Sequence, residues 1–118
     1  MTDEQQTRVA VVGTGPWWGR EHARVYAERP DVDLCAVVGR TSERAAVRAN
    51  EFGANPYVDL DEMLEREQPD LVSICLANEG HFEPTLKVIR AGFPLFVEKP
   101  LVFDLGEADI LLREAEAR

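Results

Sequence analysis

Near the start of the chain an apolar run, Val9-Ala-Val-Val12, meets Gly13-Thr-Gly15-Pro-Trp-Trp-Gly19 and then a helical pattern, Arg20-Glu-His-Ala-Arg-Val-Tyr26. This junction limits the fold more than any other stretch. A strand, spaced glycines and a helix in that order open a βαβ unit. Gly13 permits the tight turn off the strand, Gly15 leaves room for a phosphate against the backbone, and Gly19 lets the helix pack close to the strand. The helix offers its unpaired N–H groups and positive dipole end to an anion. The spacing, G-x-G-x-x-x-G, is one residue longer than the usual dinucleotide fingerprint. Its position between strand and helix favours a pyrophosphate site, with an ordinary glycine-rich turn as the alternative.

The rest of the chain repeats the alternation. Strands are expected at Arg8 to Val12, Val32 to Val38, Pro56 to Val58, Leu71 to Leu76 and Leu95 to Val97. The first helix runs from about Gly19 to before Pro30, which cannot continue it. Thr41 or Ser42 caps a helix that ends at Phe52 with Gly53 as its stop. Asp59 and Glu62 have capping-box spacing for a helix over Leu60 to Glu67. A fourth helix covers Phe82 to Ala91 and stops at Gly92. Asp104 and Glu107 open a last one, with Leu105, Ala108, Leu111, Leu112 and Ala115 as its apolar stripe. Five β–α units in a row predict an α/β fold, a Rossmann-type doubly wound parallel sheet of strand order 3-2-1-4-5. The last helix would normally lead into a sixth strand. Residues 1–118 are therefore expected to be a nucleotide-binding domain that stops before the last strand and a C-terminal substrate domain.

Composition excludes several classes. The net charge of −9 argues against a nucleic-acid partner, which needs a basic face. No apolar run approaches the ~20 residues of a membrane span, and Met1 to Arg8 lacks the character of a signal peptide. Cys35 and Cys75 fall on strands that the first strand would hold roughly 9–10 Å apart, too far for a disulfide. Two buried free thiols suit a cytoplasmic protein. No His/Cys cluster has metal-ligand spacing, so no metal is expected. Glu43, Glu51, Glu62, Glu65 and Glu67 read as a solvated helix face.

In an open α/β sheet the ligand sits beyond the carboxyl ends of the strands. Four segments converge there: Gly13 to Gly19, Gly39 to Ser42, Ala77 to His81 and Glu98 to Pro100. Strand two commonly ends in an acid that binds the ribose hydroxyls of NAD. Here Gly39-Arg40-Thr41-Ser42 stands instead. Arg40 would attract a 2′-phosphate, Thr41 and Ser42 add hydroxyl donors, and Arg44 is placed to help from the first helical turn. NADP is the expected cofactor. The alternative is a solvated Arg40 and a pocket that takes NAD as well. Trp17 and Trp18 read equally as adenine or ribose neighbours and as apolar packing. His22 reads as structural, and His81 as either structural or part of the cleft.

Glu98-Lys99-Pro100 after strand five, Asn78-Glu-Gly-His81 after strand four and Trp18-Gly-Arg-Glu-His22 at the first turn occur in register. Together they resemble the glucose–fructose oxidoreductase/inositol dehydrogenase/rhizopine-catabolism (Gfo/Idh/MocA) family of NAD(P)-dependent oxidoreductases. The resemblance covers nearly all of this chain but only the family's N-terminal NAD(P)-binding domain. It implies that Gly13, Gly15 and Gly19 bind the pyrophosphate and that Lys99 faces the nicotinamide and the substrate hydroxyl as the catalytic residue. It implies Glu98 near the nicotinamide end, with Asn78 and His81 on the cleft wall. This chain departs from the family pattern in the extra loop residue around Pro16-Trp17 and in Ala77, where the family often has Pro. The family's further acid/base groups, an Asp and a His of the C-terminal domain, have no counterpart here.

The resemblance implies hydride transfer to or from a hydroxyl carbon of a sugar, polyol or related small molecule, with this chain alone binding cofactor at best. Two other readings stand beside it. One is a non-catalytic dinucleotide sensor of the same fold, against which Lys99 argues. The other is an assembly module that forms a homo-oligomer through its open sheet edge.

Overall fold

The computed structural model describes residues 6–14, 18–76, 82–97 and 105–117. Its strands are β1 (Thr7–Val12), β2 (Val32–Val38), β3 (Asn55–Tyr57), β4 (Leu71–Ile74) and β5 (Leu95–Val97). They form one parallel sheet in the order β3-β2-β1-β4-β5, as the alternation predicts. The helices are α1 (Trp18–Glu28), α2 (Ser42–Phe52), α3 (Leu60–Glu67), α4 (Phe82–Ala91) and α5 (Leu105–Ala117). The chain works outward from β1 to β3, then crosses back to place β4 on the other side of β1. That reversal creates a switch point between β1 and β4, where open α/β sheets take their ligands.

Both faces of the sheet are covered, which is why the strands read as continuous apolar runs rather than alternating ones. On one face Ala10, Val12, Ala36, Val38, Val72 and Ile74 pack with Leu60, Met63 and Leu64 of α3 and Val88 of α4. On the other, Val11, Leu34 and Val37 pack with Ala23 of α1 and Ala49 of α2. Val9 pairs with Leu34 and Ala10 with Ala36, so Cys35 is the extra residue of a bulge. Cys35 and Ala36 consequently both join the first of these clusters. Cys35 and Cys75 are buried, without a disulfide, on either side of β1; burial pushes the Cys35 thiol up to about 11.

Helix ends follow the local rules. The Thr41 side chain caps α2 by accepting from the Arg44 N–H at 3.2 Å, and Gly53 closes the helix in a left-handed conformation. The Asp59 side chain accepts from the Glu62 N–H, also at 3.2 Å. Three expectations are corrected. β4 ends at Ile74, where its pairing with β5 ends at Val97, although the Cys75 N–H still bonds the Val12 carbonyl. β3 begins and ends one residue earlier than expected. Leu112 is 62% exposed: among the described residues the apolar packing of α5 on Leu86 and Ile89 of α4 is made by Leu111, and one neighbouring helix covers a narrower stripe than a sheet would.

Glu67 is the clearest departure from a solvated helix face, at 7% exposed. One of its carboxylate oxygens accepts from Arg8 Nη2 at 2.8 Å, and the other from Asn55 Nδ2 at 2.9 Å and Tyr57 Oη at 2.7 Å. Arg8 also donates to the Glu67 carbonyl and pairs with Asp33 at 3.6 Å. Burial alone would raise the Glu67 carboxyl, but the hydrogen bonds from Tyr57, Asn55 and Arg8 outweigh it and hold the group below the usual carboxylate range. The hydrogen bond to Glu67 in turn pushes the Tyr57 phenol up to about 12.

Candidate functional site

Tyr57, Val38, Val12, Ile74 and Val97 stand directly in register across the sheet. At about 4.8 Å between neighbours this is one transverse row. The segments that follow these strands therefore leave from a single edge, where, among the described residues, the candidate segments after β1 and β2 begin.

Gly13 has φ +126°, and a Cβ there would lie 2.1 Å from the Cys75 carbonyl oxygen. No side chain fits. The turn after β1 thus lies directly against the end of β4, at the switch point. Gly19, buried in the first turn of α1, would bring a Cβ to 2.9 Å from the Gly13 carbonyl oxygen. The start of α1 sits on the strand end because nothing intervenes. These are two of the three close approaches that a pyrophosphate turn requires, and on them the described residues fit a dinucleotide. Gly15 lies outside the described residues, as does the side chain of Trp18, whose backbone begins α1.

The β2–α2 turn adjoins this one. Gly39 is buried, and a Cβ there would meet Thr14 Oγ1 and the Ala45 nitrogen, both at 3.0 Å. Thr14 occupies the room that a side chain at the end of β2 would need. Arg40, Thr41 and Ser42 are exposed at the start of α2. The Thr41 hydroxyl oxygen is used in the cap, which leaves its proton to donate. Two helix N-termini, α1 and α2, therefore meet at the same edge, with Arg40 the nearest exposed cation in sequence to the end of β2.

Asn78, His81, Glu98 and Lys99 lie outside the described residues; the strands before them end side by side at Ile74 and Val97. His22 lies in the sheet-facing packing of α1. Its Nδ1 is 3.2 Å from Ser73 Oγ, and its ring packs against Phe96, centroids 5.8 Å apart, and edge-on to Tyr26. This is the structural role expected of it.

Sequence reasoning missed the support behind the glycine turn. Arg48, 8% exposed on α2, donates from Nη2 to the Thr14 carbonyl at 3.1 Å and from Nη1 to Glu51 at 2.6 Å. Glu51, expected to be merely solvated, also accepts from Arg20 of α1 at 2.8 and 2.5 Å. The hydrogen bond from Arg20, with that from Arg48, holds its carboxyl below the usual range. A signal was present: Arg48 interrupts the Ala45, Ala49, Phe52 stripe at helical spacing. Among the described residues no helix is long and apolar enough to cross a membrane, and no three His, Cys, Asp or Glu side chains gather as metal ligands.

Residues 7–118 match the family model GFO_IDH_MocA, described as an oxidoreductase family with an NAD-binding Rossmann fold. D-glucoside 3-dehydrogenase of Escherichia coli K12 is 37% identical over 94 residues, covering 79% of this chain and 27% of that protein. UDP-N-acetylglucosamine 3-dehydrogenase of Acidithiobacillus ferrooxidans is 34% identical over 111 residues, 94% of this chain and 34% of that protein. The crystal structure of GenD2 from gentamicin A biosynthesis in complex with NAD superposes with a TM-score of 0.88 at 35% identity, over 99% of this chain and 33% of that one. KijD10, a 3-ketoreductase from Actinomadura kijaniata, in complex with NADP, gives 0.85 at 29%, over 96% and 36%. The chain spans about a third or less of the length of these curated relatives.

Proposed function

Because the chain belongs to the Gfo/Idh/MocA oxidoreductase family, we propose that it supplies the dinucleotide-binding domain of an NADP-preferring enzyme. The enzyme transfers hydride to or from a hydroxyl carbon of a sugar, sugar nucleotide or polyol. The observation that carries this reading is Gly13, whose forbidden Cβ position and positive φ put a bare backbone turn at the β1/β4 switch point. Relatives named as sugar and sugar-nucleotide dehydrogenases support the substrate class.

Gly13, Gly15 and Gly19 hold the pyrophosphate, with the N–H groups of α1 directed at it. Arg40, Thr41 and Ser42 hold the 2′-phosphate, the guanidinium supplying a planar fork. Asn78, His81 and Glu98 line the nicotinamide end, and Trp18 lies beside the adenosine half. The bound nicotinamide supplies the hydride donor or acceptor. Lys99 hydrogen-bonds the reacting oxygen, a contact that strengthens as charge develops there.

Two assays test the reading. Titrating the chain with NADPH while following nicotinamide fluorescence should give saturable binding. In a protein carrying both halves, Lys99→Ala should lower kcat by ~10²-fold with cofactor binding little changed. No saturable binding, or wild-type turnover without Lys99, overturns it.

A further inference from the structure

Thr14 is the second residue of the glycine turn and Arg20 the residue after it, and a single turn of α2 holds both. Arg48 donates to the Thr14 carbonyl, Arg48 and Arg20 both donate to Glu51, and Arg48 and Glu51 are three residues apart on one helix surface. The support therefore runs from the start of the turn, through α2, to the first turn of α1.

Packing does not require this arrangement. Val11, Ala23, Leu34, Val37 and Ala49 already join α1 and α2 to the sheet. Arg48 is buried, and its Nε has no hydrogen-bond partner among the described residues. A buried guanidinium with an unpartnered N–H is costly, and an apolar side chain of similar volume commonly does as well for stability.

We infer that Arg48 and Glu51 clamp the two ends of the phosphate turn, with Arg48 a positioning residue for dinucleotide binding. The inference rests on the dinucleotide reading of the site and deepens it. Holding Thr14 and Arg20 on one support sets the flanks of the phosphate-binding segment before a ligand arrives, and such pre-ordering lowers the cost of binding. The clamp touches no ligand; it favours the pyrophosphate through the shape of the turn and through a buried positive charge behind it.

The test compares three ligands by calorimetry on the full chain: NADPH, ADP-ribose, and adenosine 2′-monophosphate, which lacks the pyrophosphate. Arg48→Met should weaken NADPH and ADP-ribose by about tenfold or more, leaving adenosine 2′-monophosphate nearly unchanged. Arg48→Lys, which retains a charged donor, should restore part of the loss. Glu51→Gln should weaken the same two ligands by a smaller factor, and it decides the matter if Arg48→Met fails to fold. Wild-type ADP-ribose affinity in the folded variants overturns the clamp. So does an equal loss for all three ligands, which marks general damage to the domain. A wild-type chain that binds none of them overturns the dinucleotide reading itself, a result distinguishable because failure of the clamp alone leaves wild-type binding intact.

Discussion

The two ends of the sheet are built from the same strands and handle polar groups in opposite ways. At the amino end of β1, Arg8 pairs with Asp33 and Glu67, and the side chains of Asn55 and Tyr57 of β3 donate to the same Glu67 carboxylate. Arg8 also donates to the carbonyl at the end of α3, where a cation is favourable. At the carboxyl end, Gly13, Gly19 and Gly39 bring bare backbone together, and the starts of α1 and α2 present N–H groups. The asymmetry comes from the topology. In a parallel βαβ sheet every helix begins at the carboxyl edge and ends at the amino edge, so positive dipole ends collect on one side. Substitutions at the amino end should therefore cost stability and spare binding, and substitutions at the carboxyl edge should do the reverse.

The largest separation is expected from Glu67→Ala. Removing the carboxylate leaves Asn55 and Tyr57 without their acceptor and Arg8 without its buried partner. A fully buried pair broken this way costs ~3–5 kcal/mol, and the partial exposure of Arg8 reduces that to about 2–4 kcal/mol. Urea unfolding reads the loss, and NADPH affinity of the folded fraction should stay at the wild-type level. A parallel loss of affinity would break the division between the two ends.

Gly15→Val tests the opposite end. A branched side chain where the phosphate approaches should weaken NADPH binding by roughly a hundredfold, the scale of about 3 kcal/mol. The unfolding free energy should stay within about 0.5 kcal/mol of wild type, as expected if Gly15 serves the ligand and not the core. Retained affinity would mean that the longer turn carries the phosphate somewhere else.

Acid titration sharpens the contrast further. The folded Glu67 carboxyl sits below its unfolded value, so its contribution is fully present above the ordinary Glu range of about 4.3. It is lost as pH falls through the lower folded value. The unfolding midpoint should drop over that window, and Glu67→Gln should flatten the drop. An acid limb unchanged by Glu67→Gln would remove Glu67 as its source.

The smallest effect is expected at Thr41, where the two roles meet. Thr41→Ala removes the cap of α2, worth ~1 kcal/mol of stability, and one hydroxyl from the phosphate end. Both readouts should shift slightly, unlike the one-sided variants above.

What the sequence made legible follows the same division. Caps and stops are local chemistry, so Thr41, Gly53, Asp59 and Gly92 marked their helix ends correctly. The strand order followed from the alternation of elements. The direction in which a charged residue turns is a tertiary matter. Glu67 read as a solvated position and Arg48 drew no reading, yet each is inward because a partner distant in sequence, Arg8 or Thr14, meets it there. The Cys35 bulge depends on cross-strand register, which one strand alone does not display. Among the candidate site residues, Gly13, Gly19, Arg40, Thr41 and Ser42 stand at the carboxyl edge. Gly15, Asn78, His81, Glu98 and Lys99 rest on motif and resemblance.

The central claim is that the carboxyl edge binds a dinucleotide with Arg40 choosing the form that carries a 2′-phosphate. Calorimetry of the chain with NADP(H) and NAD(H), wild type against Arg40→Asp, tests it most directly. A charge-assisted contact contributes ~1.5–3 kcal/mol, so the wild type should prefer NADP(H) by roughly tenfold to a hundredfold and Arg40→Asp should reverse the order, with the unfolding midpoint unmoved. Equal affinities of the wild type for the two cofactors would contradict it.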